Sequence, residues 1–201
     1  MPKKRNKQEK RQMMAVMICL FFLLSTTLGA VFANGLSQEA VSELQYHMQK
    51  LFAEEKENTF WSIFLKYFKY DALIWLGGCF YYGGVLSAGV LAFRGISLGY
   101  TTAVLIRSYG GNGIVAAIFS LLPQNIILLP VYFFMTWLAL CFLLEQKKEQ
   151  FGKGALKRET QRKWTEYGIL FLASAVLIAA ASFLELYVSN GLLNWISPFY
   201  T

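Results

Sequence analysis

The sequence contains few of the residues on which most metal and catalytic sites depend. Of its 201 residues one is histidine, three are cysteine and 15% are charged. Cys19, Cys79 and Cys141 each lie inside an apolar run, and none of them has the spacing of a zinc or redox motif. The sequence therefore predicts no metal site, no redox site and no cofactor.

Long apolar runs dominate the rest of the chain, of which 56% is hydrophobic. Residues 13–33 carry no charge, and a run of this length matches the roughly 20 residues of a membrane-spanning helix. We predict an all-α fold, namely a polytopic membrane helical bundle with about five transmembrane spans that forms a single membrane domain, 13–201. The predicted spans are residues 13–33, 72–93, 95–109, 123–144 and 167–188.

Lys and Arg are distributed unevenly between the predicted connections. Six lie in the tail 1–12 and seven in the loop 145–166, whereas the segment 34–71 has four together with six acidic residues. By the positive-inside rule the tail and that loop are cytoplasmic, which places the N-terminus inside and the C-terminus outside. The basic residues behind the net charge of +7 thus lie mainly in the segments predicted to be cytoplasmic. This distribution is the one expected of a membrane protein, so the predicted partner is the bilayer and not nucleic acid. The first run exceeds the roughly 7–15 residues of a signal-peptide core, so we expect a retained anchor.

The outer segment after the first span has the pattern of amphipathic helices over about residues 37–70. Aromatic residues and lysines alternate near its end, as in helices at a membrane interface. The aromatic side chains have three interpretations: they lie on the membrane surface, dock a partner, or cover the protein's own core. The candidate docking residues are Phe60, Trp61, Phe64, Tyr67 and Phe68.

Small residues recur four positions apart in three of the predicted spans. Such spacing lets helix backbones approach closely in lipid, which favours association between helices. The same faces would serve either the bundle itself or an oligomer, including a homo-oligomer. The residues are Gly83, Gly84, Ser87, Ala88, Gly95, Gly99, Ala103, Ala175 and Ala179.

Residues 120–130, SLLPQNIILLP, place two prolines and a Gln-Asn pair inside the apolar run 114–144. Proline lacks a backbone donor, and the residue before it avoids helical dihedral angles. We therefore predict an interrupted, Pro-broken fourth span, with a short or re-entrant segment at 113–122 and a full span starting near Pro123. A continuous helix with a proline kink is the alternative.

Few polar side chains are expected inside the spans. Gln124 and Asn125 would bind freed backbone groups or a neighbouring helix, and Glu185 would stand near the outer end of the last span. A lone carboxylate there needs a partner, and we hypothesise an ion pair with Arg107. A Glu185 that reaches the interface unpaired is the alternative. No catalytic constellation is visible.

Four stretches in this order resemble the stage II sporulation protein M family: TTLGAVFANGLSQEAVSEL, LIWLGGCFYYGGVLSAGVLAFRGISLGYTTAVLI, LLPQNIILLP and FLELYVSNGLLNWISP. The resemblance implies a mother-cell membrane protein of endospore-forming bacteria that is needed for engulfment. It also implies two partners, a D-type lytic transglycosylase and a P-type amidase and endopeptidase, and no catalysis by the chain itself. The family positions are Arg94, Gly95, Gly99, Pro123, Gln124, Asn125 and Glu185.

Three functions are consistent with this pattern. A non-enzymatic scaffold in the cell membrane that recruits peptidoglycan hydrolases agrees with the resemblance and with the lack of a catalytic constellation. A transporter or channel would use the interrupted fourth span, because broken helices often line polar pathways. An intramembrane enzyme would need a catalytic pair that the sequence does not show.

Overall fold

The computed structural model describes residues 2–44, 46, 59–151 and 157–189, and every regular element within them is a helix. The predicted all-α fold is therefore confirmed. The helices are α1 (Pro2–Asn34), α2 (residues 38–44), α3 (Phe60–Cys79), α4 (Gly83–Tyr109), α5 (Gly111–Phe151) and α6 (Lys157–Leu184), and a π-helical turn, Glu185–Ser189, continues α6.

Within the described residues, four helices are long and apolar enough to cross a membrane, which indicates a multi-pass membrane protein. The candidate spans lie in α1, α4, α5 and α6. Helix α3 has 20 residues but carries three charged residues, Lys66, Lys69 and Asp71, in its middle, whereas each of the four candidate spans contains an 18-residue stretch with at most two. The spans themselves are Gln8–Asn34, Gly83–Tyr109, Leu121–Glu145 and Gln161–Tyr187.

The helices form one bundle in which α4 packs against α1, α3 and α5, while α6 packs against α3 and α5. Rings and branched side chains from all five long helices make a continuous core; Phe22 on α1, for example, meets the edge of Phe133 on α5 at 4.9 Å. Large apolar side chains also cover the outside of the spans, as expected for helices that face lipid.

Two glycines let helices approach more closely than any other residue would allow. A side-chain carbon at Gly99 would collide with the carbonyl oxygen of Thr26, so Gly99 sets the contact of α4 with α1. A carbon at Gly83 would collide with the carbonyl of Gly77, which sets the tight turn between α3 and α4. The hydroxyl of Ser87 donates to the carbonyl of Ile74 across the same turn (2.9 Å). At these positions the small residues pack the bundle itself.

The predicted boundary between the spans 72–93 and 95–109 is wrong. Helix α4 runs without a break from Gly83 to Tyr109, so Arg94 lies in its interior. The chain turns instead at residues 80–82, between α3 and α4. A charged residue was expected to mark the end of a span, but aromatic rings inside the bundle surround this one.

The predicted break before Pro123 is also wrong, as is the re-entrant segment 113–122. Both prolines, Pro123 and Pro130, lie inside the continuous helix Gly111–Phe151. Proline removes only its own donor, and a buried helix tolerates that loss when other groups satisfy the backbone nearby. In the same turn the Asn125 side chain donates to the carbonyl of Leu121 at 2.7 Å.

The outer segment predicted over residues 37–70 divides into two parts. Residues 38–44 are helical, and residues 60–70 belong to α3, which continues to Cys79 as one helix. The prediction for residues 45 and 47–58 lies outside the described residues. The described part of the basic tail is helical too, because α1 begins at Pro2, and the predicted loop 145–166 is shortened by α5 and α6.

Candidate functional site: a polar cluster inside the bundle

The centres of the candidate spans lie at one level, and polar side chains gather there. The midpoints of the spans in α4, α5 and α6 fall at Ile96, Phe133 and Ser174. Arg94 and Tyr132 lie within two residues of these midpoints and contact each other. Since water is scarce at the centre of a bilayer, each polar group here needs a partner from the protein.

Arg94 is surrounded by the faces of three tyrosines. Its guanidinium carbon lies 5.4 Å from the ring centre of Tyr67, 5.3 Å from that of Tyr70 and 5.2 Å from that of Tyr132. A cation over an aromatic face gains about 0.5–2 kcal/mol, with the larger value in desolvated sites. The rings come from α3 and α5, so the cation on α4 holds three helices together.

Tyr67 connects this cage to the carboxylate of Glu185. The hydroxyl of Tyr132 donates to the backbone carbonyl of Tyr67 at 3.1 Å. The Gln124 amide lies 2.7 Å from the Tyr67 hydroxyl and, with its nitrogen turned toward the carboxylate, donates to that hydroxyl and to Glu185. The opposite orientation would set the amide oxygen against the carboxylate oxygens. The chain of contacts thus runs through α3, α5 and the end of α6.

Glu185 is 7% exposed, and its carboxylate lies 3.7 Å from the ammonium of Lys66. The pair joins α3 to the π-helical turn that continues α6, a local geometry that often occurs at functional positions. Half of the Lys66 side chain remains exposed, whereas the carboxylate is enclosed. Removal of Lys66 would leave the Glu185 carboxylate without this cation within the apolar bundle, which is costly.

A second polar contact lies one turn further along α3. Asp71 is fully buried, and its carboxylate accepts a hydrogen bond from the hydroxyl of Ser174 at 2.5 Å. The Ser174 hydroxyl also lies 2.7 Å from the carbonyl of Phe171. The other carboxylate oxygen of Asp71, Oδ1, has no hydrogen-bond partner within the described part of the chain. The contact ties α3 to the centre of α6.

The predicted ion pair of Glu185 with Arg107 is wrong. Arg107 donates to the carbonyl of Ala33 at 2.6 Å and to the carbonyl of Leu36 at 3.2 Å. The last carbonyls of a helix lack partners within it and carry partial negative charge, so a guanidinium satisfies them well. Arg107 therefore fixes the end of α1, and Glu185 takes Lys66 and Gln124 instead.

The predicted docking residues do not all face outward. Tyr67 is 2% exposed and belongs to the polar cluster, so its assignment to a docking surface is wrong. Phe60 and Phe64 are half-buried, and the ring of Phe60 lies 4.4 Å from that of Phe183 on α6. Phe68 likewise reaches Phe171 on α6 at 5.5 Å. Trp61 remains open, with 64% of its surface exposed.

Of the residues predicted as a polar site, the structure brings Gln124 and Glu185 together, while Asn125 serves the backbone of its own helix. The sequence does not reveal the tyrosine cage, and the predicted start of a span at residue 72 leaves Asp71 just outside the predicted span. One signal was available in the spacing of Tyr67, Tyr70 and Asp71, which places all three on one side of a helix. The described residues contain no group of three or more His, Cys, Asp or Glu that could hold a metal.

The polar cluster holds the helices of the bundle together. Both buried carboxylates face donors, and the arginine faces rings, so the contacts link helices rather than form a nucleophile with a base. Arg11 and Lys163 also meet Glu145 at one end of the bundle, at 2.9 and 3.9 Å. The basic end of α1 thus lies beside the junction of α5 and α6.

Comparison with known proteins identifies a family for this chain. No curated protein and no solved structure matches the chain. The family described as stage II sporulation protein M matches residues 18–190, which include all of α3 and α4 and every residue of the polar cluster. The chain therefore belongs to the stage II sporulation protein M family and is a sporulation-related membrane protein.

Proposed function

We propose that the chain is a non-enzymatic membrane scaffold that anchors and recruits peptidoglycan-remodelling hydrolases during engulfment. The observation that carries the proposal is the use of the intramembrane polar groups: Arg94, Asp71 and Glu185 all bind side chains of other helices. Such contacts favour a rigid body that presents an outer surface. The family is not a known enzyme family.

The proposed topology has five crossings, with α3 as the fifth. A 20-residue helix is about 30 Å long, which equals the thickness of the hydrocarbon layer. A turn of three residues, 80–82, connects α3 to α4, and α3 packs against α4, α5 and α6. The grouping of Arg11 with Glu145 and Lys163 supports a cytoplasmic position for that end.

In this topology α3 leads from the outer face into the polar cluster. Its outer end carries the exposed ring of Trp61, and the segment before it connects to α1 on the same side. The proposed partners are the D-type lytic transglycosylase and the P-type amidase and endopeptidase, in the mother-cell membrane. A surface on a bundle whose helices are tied together by polar contacts would hold such enzymes at a fixed height above the bilayer.

The rival function, a transporter or channel, rested on an interrupted fourth span. Helix α5 is continuous through that stretch. A groove of about 540 Å³ between α1, α4 and α5 is lined mostly by apolar side chains, among them Met13, Met17 and Phe21. These observations favour the scaffold over a polar pathway.

The experiment is co-purification of the tagged full chain from sporangial membranes with the two hydrolases detected by antibodies. Wild type is expected to retain both hydrolases, Trp61→Ala to lose most of them, and Tyr82→Ala to behave as wild type. Tyr82 is the matched control because its ring is 80% exposed but lies at the opposite end of α3. Wild type without either hydrolase would refute the function, and full capture by Trp61→Ala would refute this surface.

A further inference from the structure

The outward side of α3 differs from the outward sides of the other long helices. Residues that point away from the bundle on α1, α4 and α6 within the spans include Leu24, Phe93 and Val176, all apolar and more than half exposed. On α3 the corresponding surface, the lysine face, carries two lysines between leucines. The lysine face consists of Leu65, Lys66, Lys69, Leu73 and Leu76, all exposed.

The contacts of neighbouring residues place the lysine face at the depth of the bundle centre. Tyr70 follows Lys69 directly, and its ring lies 5.3 Å from Arg94 near the midpoint of α4. Asp71 binds Ser174, the midpoint residue of the span in α6. Lys69 therefore lies at the centre of the spans, and Lys66 about 5 Å nearer the outer side, because a helix rises about 1.5 Å per residue.

The two lysines are not equally satisfied. Lys66 has the carboxylate of Glu185 at 3.7 Å. Lys69 lies 5.1 Å from the ring of Tyr70, and no carboxylate within the described residues is at ion-pair distance from it. A lysine at the bilayer centre is costly, so a carboxylate from outside the chain would be stabilising there.

A second copy of the chain cannot supply that carboxylate from the described spans, because Glu9, Glu145 and Glu166 lie within six residues of a span end and not at the depth of Lys69. Asp71 is 0% exposed and Glu185 is 7% exposed, and both face into the bundle. Two copies that met through the lysine face would bring like charges together in lipid, which is destabilising. Charge complementarity therefore requires a different membrane protein.

We propose that the lysine face docks a membrane-spanning helix of another protein, one that carries a carboxylate at the depth of Lys69. The leucines above and below Lys69 supply the apolar contacts, and the carboxylate pairs with the ammonium in a medium where such a pair is strong. The inference rests on the proposed crossing of α3. It does not require that the partner be a hydrolase.

The test uses the full chain in phosphatidylcholine vesicles and two synthetic leucine-rich helices of about 20 residues. One helix has a single central Asp and the other has Leu at that position. Energy transfer between dye-labelled chain and helix is expected to show about tenfold tighter association of the Asp helix, a difference of about 1.4 kcal/mol. Lys69→Leu is expected to abolish the preference for the Asp helix. Lys69→Glu is expected to prefer a third synthetic helix that has a single central Lys.

Lys10→Leu is the matched control, because Lys10 lies on α1, where it lines the apolar groove, and not on α3. It should keep the full preference for the Asp helix. Equal association of the Asp and Leu helices, or a preference that survives Lys69→Leu, would overturn the proposal. Because the vesicles contain no hydrolase, either result leaves the recruitment experiment to be decided separately.

A second measurement tests whether water reaches the lysine face. In a chain whose cysteines are replaced by alanine, Lys69→Cys should resist a membrane-impermeant maleimide, whereas Trp61→Cys should react from the outer side. Rapid labelling of Lys69→Cys would show that the face lines an aqueous cavity. That result would also overturn the docked helix.

Discussion

The guanidinium of Arg94 on α4 lies 5.2 Å from the ring centre of Tyr132 on α5. Tyr67 and Tyr70 bring two rings of α3 to the same cation. A charge that would be costly in lipid is therefore enclosed by the faces of three aromatic rings. This contact makes α3, with its charged middle, an integral part of the bundle.

Arg94→Ala should destabilise the protein strongly. The change removes the cation–π contacts and leaves a cavity between three helices, so the free energy of unfolding should fall by about 2 kcal/mol or more. Thermal unfolding in detergent measures this. Arg162→Ala is the control, since its side chain is 77% exposed and its pair with Glu166 should contribute under about 1 kcal/mol. Equal effects of the two changes would contradict the cage.

The hydrogen bond between Asp71 and Ser174 should appear as coupling in a double-mutant cycle. Asp71→Ala and Ser174→Ala should each cost about 1–3 kcal/mol, and the double change should cost less than their sum by about 1 kcal/mol. The unfolding free energy of all four proteins gives the coupling. Ser182→Ala should show none with Asp71→Ala, because the Ser182 hydroxyl donates to Ile178 of its own helix.

The ion pair of Lys66 with Glu185 should respond to a charge exchange. Lys66→Glu places two carboxylates together and should reduce the yield of folded protein severely, because like charges repel strongly in an apolar medium. The double variant Lys66→Glu with Glu185→Lys restores opposite charges and should recover at least half of the yield. Size-exclusion profiles in detergent report the folded fraction. A double variant as poor as the single one would show that the pair is not the reason for the loss.

Two glycines of α4 should respond differently to replacement by alanine, because one lies at a close contact between helices and the other does not. Gly99→Ala forces α4 away from the Thr26 carbonyl and should destabilise the contact with α1 by about 1–3 kcal/mol. Gly89 has no atom within 4 Å of an added carbon, so Gly89→Ala should be neutral or stabilise α4 by about 0.5–1 kcal/mol. Thermal unfolding of both variants checks the difference in sign.

The helical membrane fold could be predicted from the sequence because uncharged apolar runs of about 20 residues are typical of membrane-spanning helices. The turn between α3 and α4 was misplaced because Arg94 was read as a boundary. The rings that enclose Arg94 come from residues 24 to 38 positions away, and only the assembled bundle brings them together. Proximity of that kind leaves no periodic signal in one sequence.

In the stretch around Pro123 the prediction placed a break where the helix is continuous. Pro123 and its Gln-Asn pair read as a break, since a proline in an isolated helix is costly. In the bundle, Asn125 binds the backbone one turn back and Gln124 reaches Glu185, so the amides have partners on a continuous helix. Contacts between helices, which the sequence does not reveal, thus outweigh the tendency of proline to break a helix.

The most direct test of the account is the sidedness of the two ends of α3. In a chain without other cysteines, Thr59→Cys and Tyr82→Cys flank the helix Phe60–Cys79. The account predicts that an impermeant maleimide labels Thr59→Cys only from the outer side and Tyr82→Cys only from the cytoplasmic side. Labelling of both cysteines from one side would contradict the crossing of α3, and with it the intramembrane position of the cluster.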